Sequence, residues 1–574
     1  MTVYFLNAAI RSAAVVILGI ALQTDSWAKE PSSANAWDAY TSQFIEATFK
    51  ARPYFAVWAG RHEFDGKLPD WSAAGLKKEV ERLHEARKRA VAFSDGALSD
   101  KQRFERDYVL AVIDRDLFWL ETAEWPYRSP TFYGWGFDPQ VYIAREYAPL
   151  PRRMQAYIAY ARAIPRAVEQ MRGNLRTPLP RSYVGFGHIN AGGLASLYEK
   201  DVPAIFASVK DPRLQAQFRA ANDGAIKAMK ALDAWFTQQE AGATDNFALG
   251  PEKFAAMLRA TEQIDVPLPR LKEIAERDLE RNLAAMREAC NALLPGQPIG
   301  ACVASIQADK MAGSPIEGAR KQLGELRSFV LEKKLVSIPG QEQARVAETL
   351  PYERWNQASI RIPGPFEKNL PSIYYISPPD PTWSKQEQEA YIPGKNELLF
   401  ISAHEVWPGH FLQFQHSYRS ASTIGRLFAT YAFSEGWAHY TEELMWEAGL
   451  GAGDPAVHVG QLSNALLRDV RLVSAIGLHT GGMSVSESEA MFREKAFQDP
   501  ANARQQANRG TFDPGYGAYT LGKLMIRKLR EDWTTPRGGR EAWQAFHDQL
   551  LSYGSPPVPL IRKAMLGPES GPPL

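Results

Sequence analysis

The fold class is decided by stretches such as Leu271-Lys-Glu-Ile-Ala-Glu-Arg-Asp-Leu-Glu-Arg-Asn-Leu283, in which apolar residues recur at three- and four-residue spacing between charged ones. The same spacing occurs in Leu76-Lys-Lys-Glu-Val-Glu-Arg-Leu-His-Glu-Ala-Arg-Lys-Arg-Ala90. This period matches the turn of an α-helix that buries one face. The sequence therefore predicts a mainly α protein. Similar patterns cover roughly residues 35–50, 100–123, 151–173, 195–239, 251–290, 315–334 and 382–393.

Strand-like signals are few, and the best of them lie shortly before residue 396. They are Ser359-Ile-Arg-Ile-Pro363 and Ser372-Ile-Tyr-Tyr-Ile-Ser377, whose β-branched and aromatic residues favour strands. We expect a small sheet there, just before the helix that begins near Asn396. The change from charged helices to this segment predicts an N-terminal helical region at 29–350 and a second region at 351–574, both within one compact unit.

The composition is that of a large globular protein. The chain has 574 residues and 45% apolar content, which is enough to bury large cores. Its 66 basic and 65 acidic residues give a formal net charge of +1, with no long block of either sign. Nothing in this charge favours nucleic acid. We therefore expect the partner to be a short peptide or another small molecule.

The first 28 residues have the pattern of a secretory signal peptide. Arg11 precedes the apolar run Ser12-Ala-Ala-Val-Val-Ile-Leu-Gly-Ile-Ala-Leu22, and Ser26-Trp-Ala28 offers small residues at the positions that determine cleavage. The alternative is an uncleaved anchor helix, for which the apolar run is short. Because no cysteine lies near this site for acylation, we expect a periplasmic or secreted protein that is not attached to the membrane after cleavage.

The two cysteines, Cys290 and Cys302, flank a loop that contains two prolines and two glycines. Export makes a disulfide permissible, and closing so short a loop would stabilise the fold by about 3 kcal/mol. The alternative is a pair of unpaired buried thiols. We expect a structural disulfide, because a zinc site based on cysteine would need more ligands than this region offers.

Residues that carry chemistry are concentrated in His404-Glu405-Val-Trp-Pro-Gly-His410 and in Ser434-Glu435-Gly-Trp-Ala-His439-Tyr-Thr-Glu442. A hydrolytic zinc site needs three protein ligands, an open position for water and a nearby carboxylate that takes the proton of that water. We expect His404, His410 and Glu435 to bind Zn²⁺ and Glu405 to act as the general base.

The six-residue spacing of the two histidines departs from the usual four. Six residues rotate by about 600° on a regular helix, which leaves the two side chains about 120° apart. Pro408 lacks a backbone donor and Gly409 tolerates unusual dihedral angles. We therefore expect a distorted helix that swings His410 back toward His404.

The second segment places three ionisable groups on one face of a helix. Glu435, His439 and Glu442 are related by i, i+4 and i+7. If Glu435 is a ligand, His439 and Glu442 are placed to orient the ligands by hydrogen bonds. The alternative is a solvated helix face.

At these residues the chain resembles the bacterial domain-of-unknown-function 885 family, whose hallmarks are H-E-x-x-P-G-H and E-G-W-A-x-Y-x-E. Both hallmarks match fully, and the resemblance covers roughly residues 35–565. The family looks like a gluzincin-type branch of the zinc metallopeptidases, similar in its mainly helical build and deep cleft to the angiotensin-converting-enzyme and Taq-carboxypeptidase groups. The resemblance implies zinc on His404, His410 and Glu435 with Glu405 as base, and it implies no substrate.

Two further segments resemble the family. Arg468-Asp-Val-Arg-Leu-Val-Ser-Ala-Ile-Gly-Leu-His479 looks like its R-x-x-R-L-V-x-D-x-G-L-H stretch, with Ala475 where aspartate is usual, and the segment from Pro514 to Lys523 resembles a later tyrosine-containing helix start. An oxyanion that forms at zinc needs a neutral donor opposite the metal. We expect His479 and Tyr519 to polarise the scissile carbonyl, the alternatives being a core histidine and ordinary helix packing.

The same segments offer cations for a substrate carboxylate. We expect Arg471 or Lys523 to bind the terminal carboxylate of a peptide, whereas Arg468 and Arg471 could instead form ion pairs on a helix surface.

Together these patterns predict a zinc metallopeptidase that cleaves short peptides, as a carboxypeptidase or dipeptidase, at the bottom of a deep cleft between two helical halves. One alternative is a zinc hydrolase of another amide or ester bond. Another is a non-catalytic zinc-stabilised binding protein, which Glu405 disfavours because a purely structural site has no use for a base.

The leader and the cysteine pair generate a first prediction. Protein recovered from the periplasm should begin at Lys29 and carry a bond between Cys290 and Cys302. Intact-mass spectrometry with and without reduction measures both features. An unprocessed chain contradicts the cleavage site, and two thiols that alkylate without reduction contradict the disulfide.

Overall fold

The computed structural model describes residues 33–349, 357–379, 381 and 383–574, and within these ranges the chain is mainly helical. The predicted leader and the mature N-terminus at Lys29 lie outside the described residues. Over those ranges, no helix combines the length and the apolarity that a membrane span requires.

A first apolar core is built by the helices between residues 33 and 239. Its centre holds large buried side chains such as Trp37, Tyr157 and Phe236. The helices of this part are α1 (Ser33–Ala51), α2 (Pro53–Ala59), α3 (Ala73–Val91), α4 (Asp100–Leu117), α5 (Trp125–Arg128), α6 (Gln140–Ala144), α7 (Leu150–Asn174), α8 (Arg181–Ser196), α9 (Val202–Phe206) and α10 (Pro212–Gln239).

A second apolar core contains most of the chain after residue 247, including Leu271, Trp437 and Ile526. The helices of this part of the chain are α11 (Pro251–Glu262), α12 (Leu268–Leu293), α13 (Ile299–Ala308), α14 (Pro315–Glu332), α15 (Lys385–Tyr391), α16 (Lys395–Glu405), α17 (His410–Ser417), α18 (Thr423–Leu427), α19 (Tyr431–Glu447), α20 (Pro455–Ile476), α21 (Val485–Lys495), α22 (Pro500–Phe512), α23 (Ala518–Thr534), α24 (Trp543–Ser552) and α25 (Val558–Leu566).

The division between the two cores does not coincide with the boundary predicted at residue 350. Helices α11 to α14 precede that residue, yet they pack in the same core as the helices that follow it. In the opposite direction, Ile424, Phe428 and Leu560 pack in the first core, and the Tyr108 hydroxyl donates to the Phe428 carbonyl. The two cores are thus in direct contact, while a deep cleft between two helical halves stays a prediction.

A three-stranded sheet lies before α16, as expected. Strand β3 (Ile373–Ile376) is central, pairs antiparallel with β2 (Ala358–Arg361) and pairs parallel with β1 (Arg345–Glu348). Strands β2 and β3 overlap the two predicted segments. Strand β1 was not predicted, because the short sequence Arg-Val-Ala-Glu shows no run of β-branched or aromatic residues.

Two of the long predicted helices are interrupted. The range 195–239 is divided because α10 begins anew at Pro212, where the Asp211 carboxylate accepts the Arg213 N–H at 2.9 Å. The range 251–290 is divided because Gln263 ends α11 with a left-handed φ of 56° and Pro267 precedes α12.

The cysteine pair links the end of α12 to α13. Cys290 and Cys302 are both buried and lie at disulfide distance, with 5.6 Å between their Cα atoms. The predicted pairing is thus compatible with the geometry of a standard disulfide.

Helices α19 and α23 approach each other so closely that their backbones touch. A Cβ atom added at Gly522 would lie 1.8 Å from the Ala432 carbonyl oxygen, and one added at Gly436 would lie 2.4 Å from the Gly522 Cα. Only glycine fits at such a contact. The two glycines therefore set the distance at which Tyr519, on α23, stands from Glu435, on α19.

The first turn of α19 is bonded to a buried carboxylate. Glu262, the last residue of α11, is 4% exposed and accepts the Ala432 N–H at 3.2 Å. Burial raises the pKa of Glu262 to about 7, although this hydrogen bond opposes the shift. An acid whose pKa is raised on folding stabilises the fold at low pH, and this contribution is lost as the pH rises from about 4.5 to about 7.

The glycine contact generates a second prediction. Gly522→Ala should lower the free energy of unfolding by about 1–3 kcal/mol, because the added methyl group overpacks a backbone contact. Gly224→Ala in α10 is the matched control, since a Cβ there meets nothing within 4 Å and alanine gains about 0.5–1 kcal/mol in a helix. Denaturation curves of both variants measure the difference. Equal effects would show that the close approach of α19 and α23 imposes no constraint.

The buried carboxylate generates a third prediction. Glu262→Gln removes the ionisation that the fold disfavours, so the variant should gain up to about 3 kcal/mol relative to wild type at pH 8 and little at pH 5. Denaturation midpoints at both pH values test this. Glu288→Gln, at an exposed position of α12, should show no such pH dependence. A Glu262→Gln effect of equal size at both pH values would contradict the argument.

Candidate metal centre

The two histidines of the first motif lie on separate helices. Helix α16 ends at Glu405, α17 begins at His410, and the intervening turn contains a cis Trp407–Pro408 peptide. The Gly409 N–H donates to the Ala403 carbonyl at 2.9 Å. A Cβ atom at Gly409 would lie 1.7 Å from the His404 carbonyl oxygen, so that glycine is required here. The helix is therefore ended and restarted, where the sequence predicted a distortion.

This turn brings His404, His410 and Glu435 together. The Nε2 atoms of His404 and His410 each lie 3.4 Å from Glu435 Oε2, and the ligand atoms of all three residues lie within 4.8 Å of one another. The two imidazole rings are perpendicular, with 4.9 Å between their centroids. The Trp437 indole N–H donates to the Pro408 carbonyl at 3.0 Å, which attaches the turn to α19.

The donor set fits a small divalent transition metal such as zinc. Zinc binds imidazole nitrogen and carboxylate oxygen at about 2.0–2.2 Å, so two ligand atoms at tetrahedral positions stand about 3.4 Å apart. The separations of 3.4 Å between each histidine and Glu435 equal this value. Two nitrogens and one oxygen, all within 4.8 Å of one another, are therefore available to bind one ion.

A buried carboxylate orients the first of these histidines. Glu442 has no exposed surface, and its Oε1 lies 2.7 Å from His404 Nδ1 and 3.2 Å from an Arg468 Nη2. Burial alone would raise the pKa of Glu442, but Arg468 and His404 outweigh it and hold the pKa well below its usual range. The ionised carboxylate accepts the Nδ1 proton, which directs the Nε2 lone pair of His404 toward Glu435.

The charges around His404 favour a cation. Burial would lower the pKa of His404, yet Glu435 and Glu442 raise it to about 9. Burial likewise opposes ionisation of Glu435, whose pKa is nonetheless held well below its usual range by His410 and His404. A positive charge at the cluster, whether a proton or a metal ion, is therefore stabilised.

His439 lies behind the cluster and takes no part in it. The ring is completely buried, its Nδ1 is 3.7 Å from Glu442 Oε2, and neither nitrogen has a hydrogen-bond partner among the residues that the structure describes. Burial lowers its pKa to about 4, so the ring is neutral. His439 thus contacts Glu442, which in turn contacts His404.

The cluster is partly open to solvent, and Glu405 directly follows one of its residues in the chain. The side chains of His410 and Glu435 are 13% and 23% exposed, and Glu405 is half-buried. The Glu405 carboxylate forms no hydrogen bond or ion pair with any other residue in the described ranges. A carboxylate that is both accessible and uncommitted is available to accept a proton.

Tyr519 flanks the cluster on the α23 side. Its ring stacks on that of His404 with 6.3 Å between centroids, and its hydroxyl has no hydrogen-bond partner within the described part of the chain. Burial and the charge of Glu435 raise the pKa of Tyr519, so the hydroxyl stays protonated at neutral pH. It is a neutral donor next to a candidate ligand.

His479, predicted as a second such donor, is not brought to the cluster. Its Nε2 lies 2.8 Å from the Gly510 carbonyl, and its Nδ1 accepts the Leu249 N–H at 3.3 Å. Both ring nitrogens are thereby used in the second core, and burial lowers the pKa of the ring to about 4. The oxyanion role expected for His479 does not fit this geometry.

Lys523 is also turned away from any substrate. It is fully buried, and its ammonium lies 2.6 Å from Asp278 and 3.5 Å from Glu443. The predicted binding of a substrate carboxylate does not fit, because its charge is already compensated inside the protein. Arg471, the other predicted cation, stands over the Tyr519 ring with 4.9 Å from its Cζ to the centroid.

Arg509 and Tyr431 lie near the cluster and were not predicted as site residues. Arg509 donates to the Tyr431 hydroxyl at 2.8 Å and to Asp513 at 3.0 Å, and the Tyr431 ring lies 5.7 Å from that of Tyr519. These residues belong to no motif, and their only sequence signal is the i, i+4 spacing of Arg509 and Asp513.

Comparison with known proteins supports the family resemblance. Residues 53–565 match the family of bacterial proteins of unknown function DUF885. No curated protein matches the chain. Similar folds occur in two solved structures, each described as a "putative lipoprotein". The one from Shewanella oneidensis, of unknown function, is 24% identical with a TM-score of 0.77, over 92% of this chain and 99% of that one.

The second structure, from Colwellia psychrerythraea, is 16% identical with a TM-score of 0.78, over 93% of this chain and 98% of that one. At these identities the likeness to both structures concerns the fold alone. The family match, in contrast, extends over most of the sequence and includes both motifs of the cluster. The chain therefore belongs to the DUF885 family of bacterial proteins.

Proposed function

We propose that this protein is a zinc-dependent hydrolase, specifically a metallopeptidase that cleaves short peptides. The observation that carries the proposal is the convergence of His404, His410 and Glu435, with donor separations that suit tetrahedral zinc. An accessible carboxylate on the residue next to the first histidine, Glu405, supplies the base that hydrolysis requires.

When bound, zinc polarises a carbonyl group and lowers the pKa of water so that hydroxide is available near neutral pH. Glu405 accepts the proton from the attacking water and later gives it to the leaving amine. The Tyr519 hydroxyl donates a hydrogen bond to the oxyanion that forms on the scissile carbonyl. Glu442 keeps the His404 ring in the tautomer and orientation that metal binding needs, and Arg468 keeps Glu442 ionised.

A peptide substrate is favoured by the resemblance of both motifs to gluzincin-type metallopeptidases. The same chemistry would hydrolyse another amide or an ester, which is the alternative within enzymes. A zinc-stabilised binding protein is disfavoured, because the side chains of His410 and Glu435 remain partly exposed. A structural site would close its fourth position with protein and would have no use for Glu405.

Export to the periplasm or beyond is part of this proposal. The cysteine pair at disulfide distance suits an oxidising compartment. The two solved structures of similar fold are each described as a "putative lipoprotein". In this chain the two cysteines lie at disulfide distance from each other, and neither is near the predicted leader, where a lipoprotein would be acylated. We therefore propose a periplasmic or secreted protein.

The cluster generates a fourth prediction. Purified protein should contain one zinc ion per chain, and His410→Ala should lose most of it because one of three ligands is gone. Glu405→Gln should keep the metal and lose about 10²- to 10⁴-fold in turnover, since only the proton acceptor is removed. Elemental analysis gives the zinc content. Mass spectrometry of a mixed peptide library, with chelator and after zinc is restored, gives the turnover.

His188→Ala is the matched control, because His188 is an exposed residue of α8 that pairs with Asp233 and hydrogen-bonds Thr237. It should leave both zinc and turnover unchanged. Full zinc occupancy in His410→Ala would move the second ligand elsewhere, and undiminished turnover in Glu405→Gln would refute the mechanism. Tightly bound zinc without turnover of any peptide, amide or ester would favour the binding protein.

A further inference from the structure

Arg471 is a buried cation that pairs with no carboxylate among the residues that the structure describes. Its side chain lies on α20, and the residue is 7% exposed. Its Nε donates to the Gln506 amide oxygen at 2.8 Å, and its two terminal nitrogens have no partner in the described ranges. A guanidinium with a neutral partner and two uncommitted nitrogens can bind an anion through a bidentate pair of hydrogen bonds.

The neighbouring cations are all paired. Arg468 is bonded to Glu442, Arg509 to Asp513, and Lys523 to Asp278. Burial, and then the charges of Arg509 and Arg468, lower the pKa of Arg471. Burying a charge without a counterion is unfavourable, so such a group persists where a ligand supplies the opposite charge. The local excess of positive charge therefore favours an anionic ligand.

The Tyr519 ring is close both to Arg471 and to the candidate metal centre. Its centroid is 4.9 Å from Arg471 Cζ and 6.3 Å from the centroid of the His404 ring. An extended peptide advances by about 3.5 Å per residue. A carboxylate one or two residues beyond a peptide bond held at the cluster can therefore reach the Arg471 guanidinium.

We propose that Arg471 binds the terminal α-carboxylate of the substrate, so that the enzyme is a carboxypeptidase that removes one or two residues from the C-terminus. This inference rests on the proposed function. Recognition of the N-terminus would instead need an uncommitted carboxylate for an ammonium group. The nearby Glu442 and Asp513 are bonded to arginines, while Glu435 and Glu405 serve the cluster.

The test measures peptide binding to the zinc-loaded Glu405→Gln protein, in which turnover is suppressed. The probes are Ala-Ala-Phe-Ala as the free acid, as the C-terminal amide and as the N-acetylated acid. With Arg471 present, amidation should weaken binding about 10- to 100-fold, as expected for a lost charge-assisted hydrogen-bond pair. N-acetylation should have little effect.

Adding Arg471→Gln should weaken binding of the free acid to the level of the amide and leave binding of the amide unchanged. Arg471→Lys keeps the charge but cannot form two parallel hydrogen bonds, so we expect a smaller difference in affinity between free acid and amide than with Arg471. This variant replaces Arg471→Gln in the test if the glutamine variant fails to fold. Arg493→Gln, at an exposed position of α21, is the control and should preserve the full discrimination.

Equal affinity for acid and amide in the presence of Arg471, or equal weakening of both by Arg471→Gln, overturns the inference. Restored binding by amidated Ala-Ala-Phe-Glu would also overturn it, since an acidic side chain would then be the recognised group. Failure of the proposed function would give a different result: the protein would bind the free acid more tightly than the amide, but wild-type protein would cleave neither peptide. Zinc-dependent cleavage that is indifferent to amidation would refute the inference alone.

Discussion

The buried carboxylate of Glu442 is the group on which the arrangement of the candidate metal centre depends. It belongs to α19 and bonds His404 on α16 and Arg468 on α20, without access to solvent. An ionised group in such surroundings is stable only while its partners compensate it. The three helices are therefore held in one relative position, and the direction of the His404 ring follows from that position.

Helix α19 joins this constraint to the rest of the site. It carries Glu435, the indole of Trp437 that bonds the turn before His410, and Glu442 itself. Its backbone contact with α23 at Gly436 and Gly522 leaves Tyr519 next to the same residues. Contacts with α19 thus position side chains of four other helices, namely α16, α17, α20 and α23.

The sequence was most informative where the signal is local. The amphipathic pattern predicts the helical class, and Pro408 with Gly409 predicts a distorted helix, although not that α16 ends at Glu405 and α17 begins at His410. The misjudged residues depend on distant partners. His479 bonds Gly510 and Leu249, while Lys523 pairs with Asp278. No local pattern reveals such contacts, and the same holds for the division of the cores near residue 240.

The location of the whole cluster within the second core has a mechanical consequence. His404, His410 and Glu435 all lie on helices of that core, whereas most residues of the other core lie on α1 to α10. A rigid-body displacement of one core against the other would leave the distances among the three donor atoms unchanged. The spacing of the three donor atoms is therefore set by the packing of the second core and is independent of how closely the two cores approach each other.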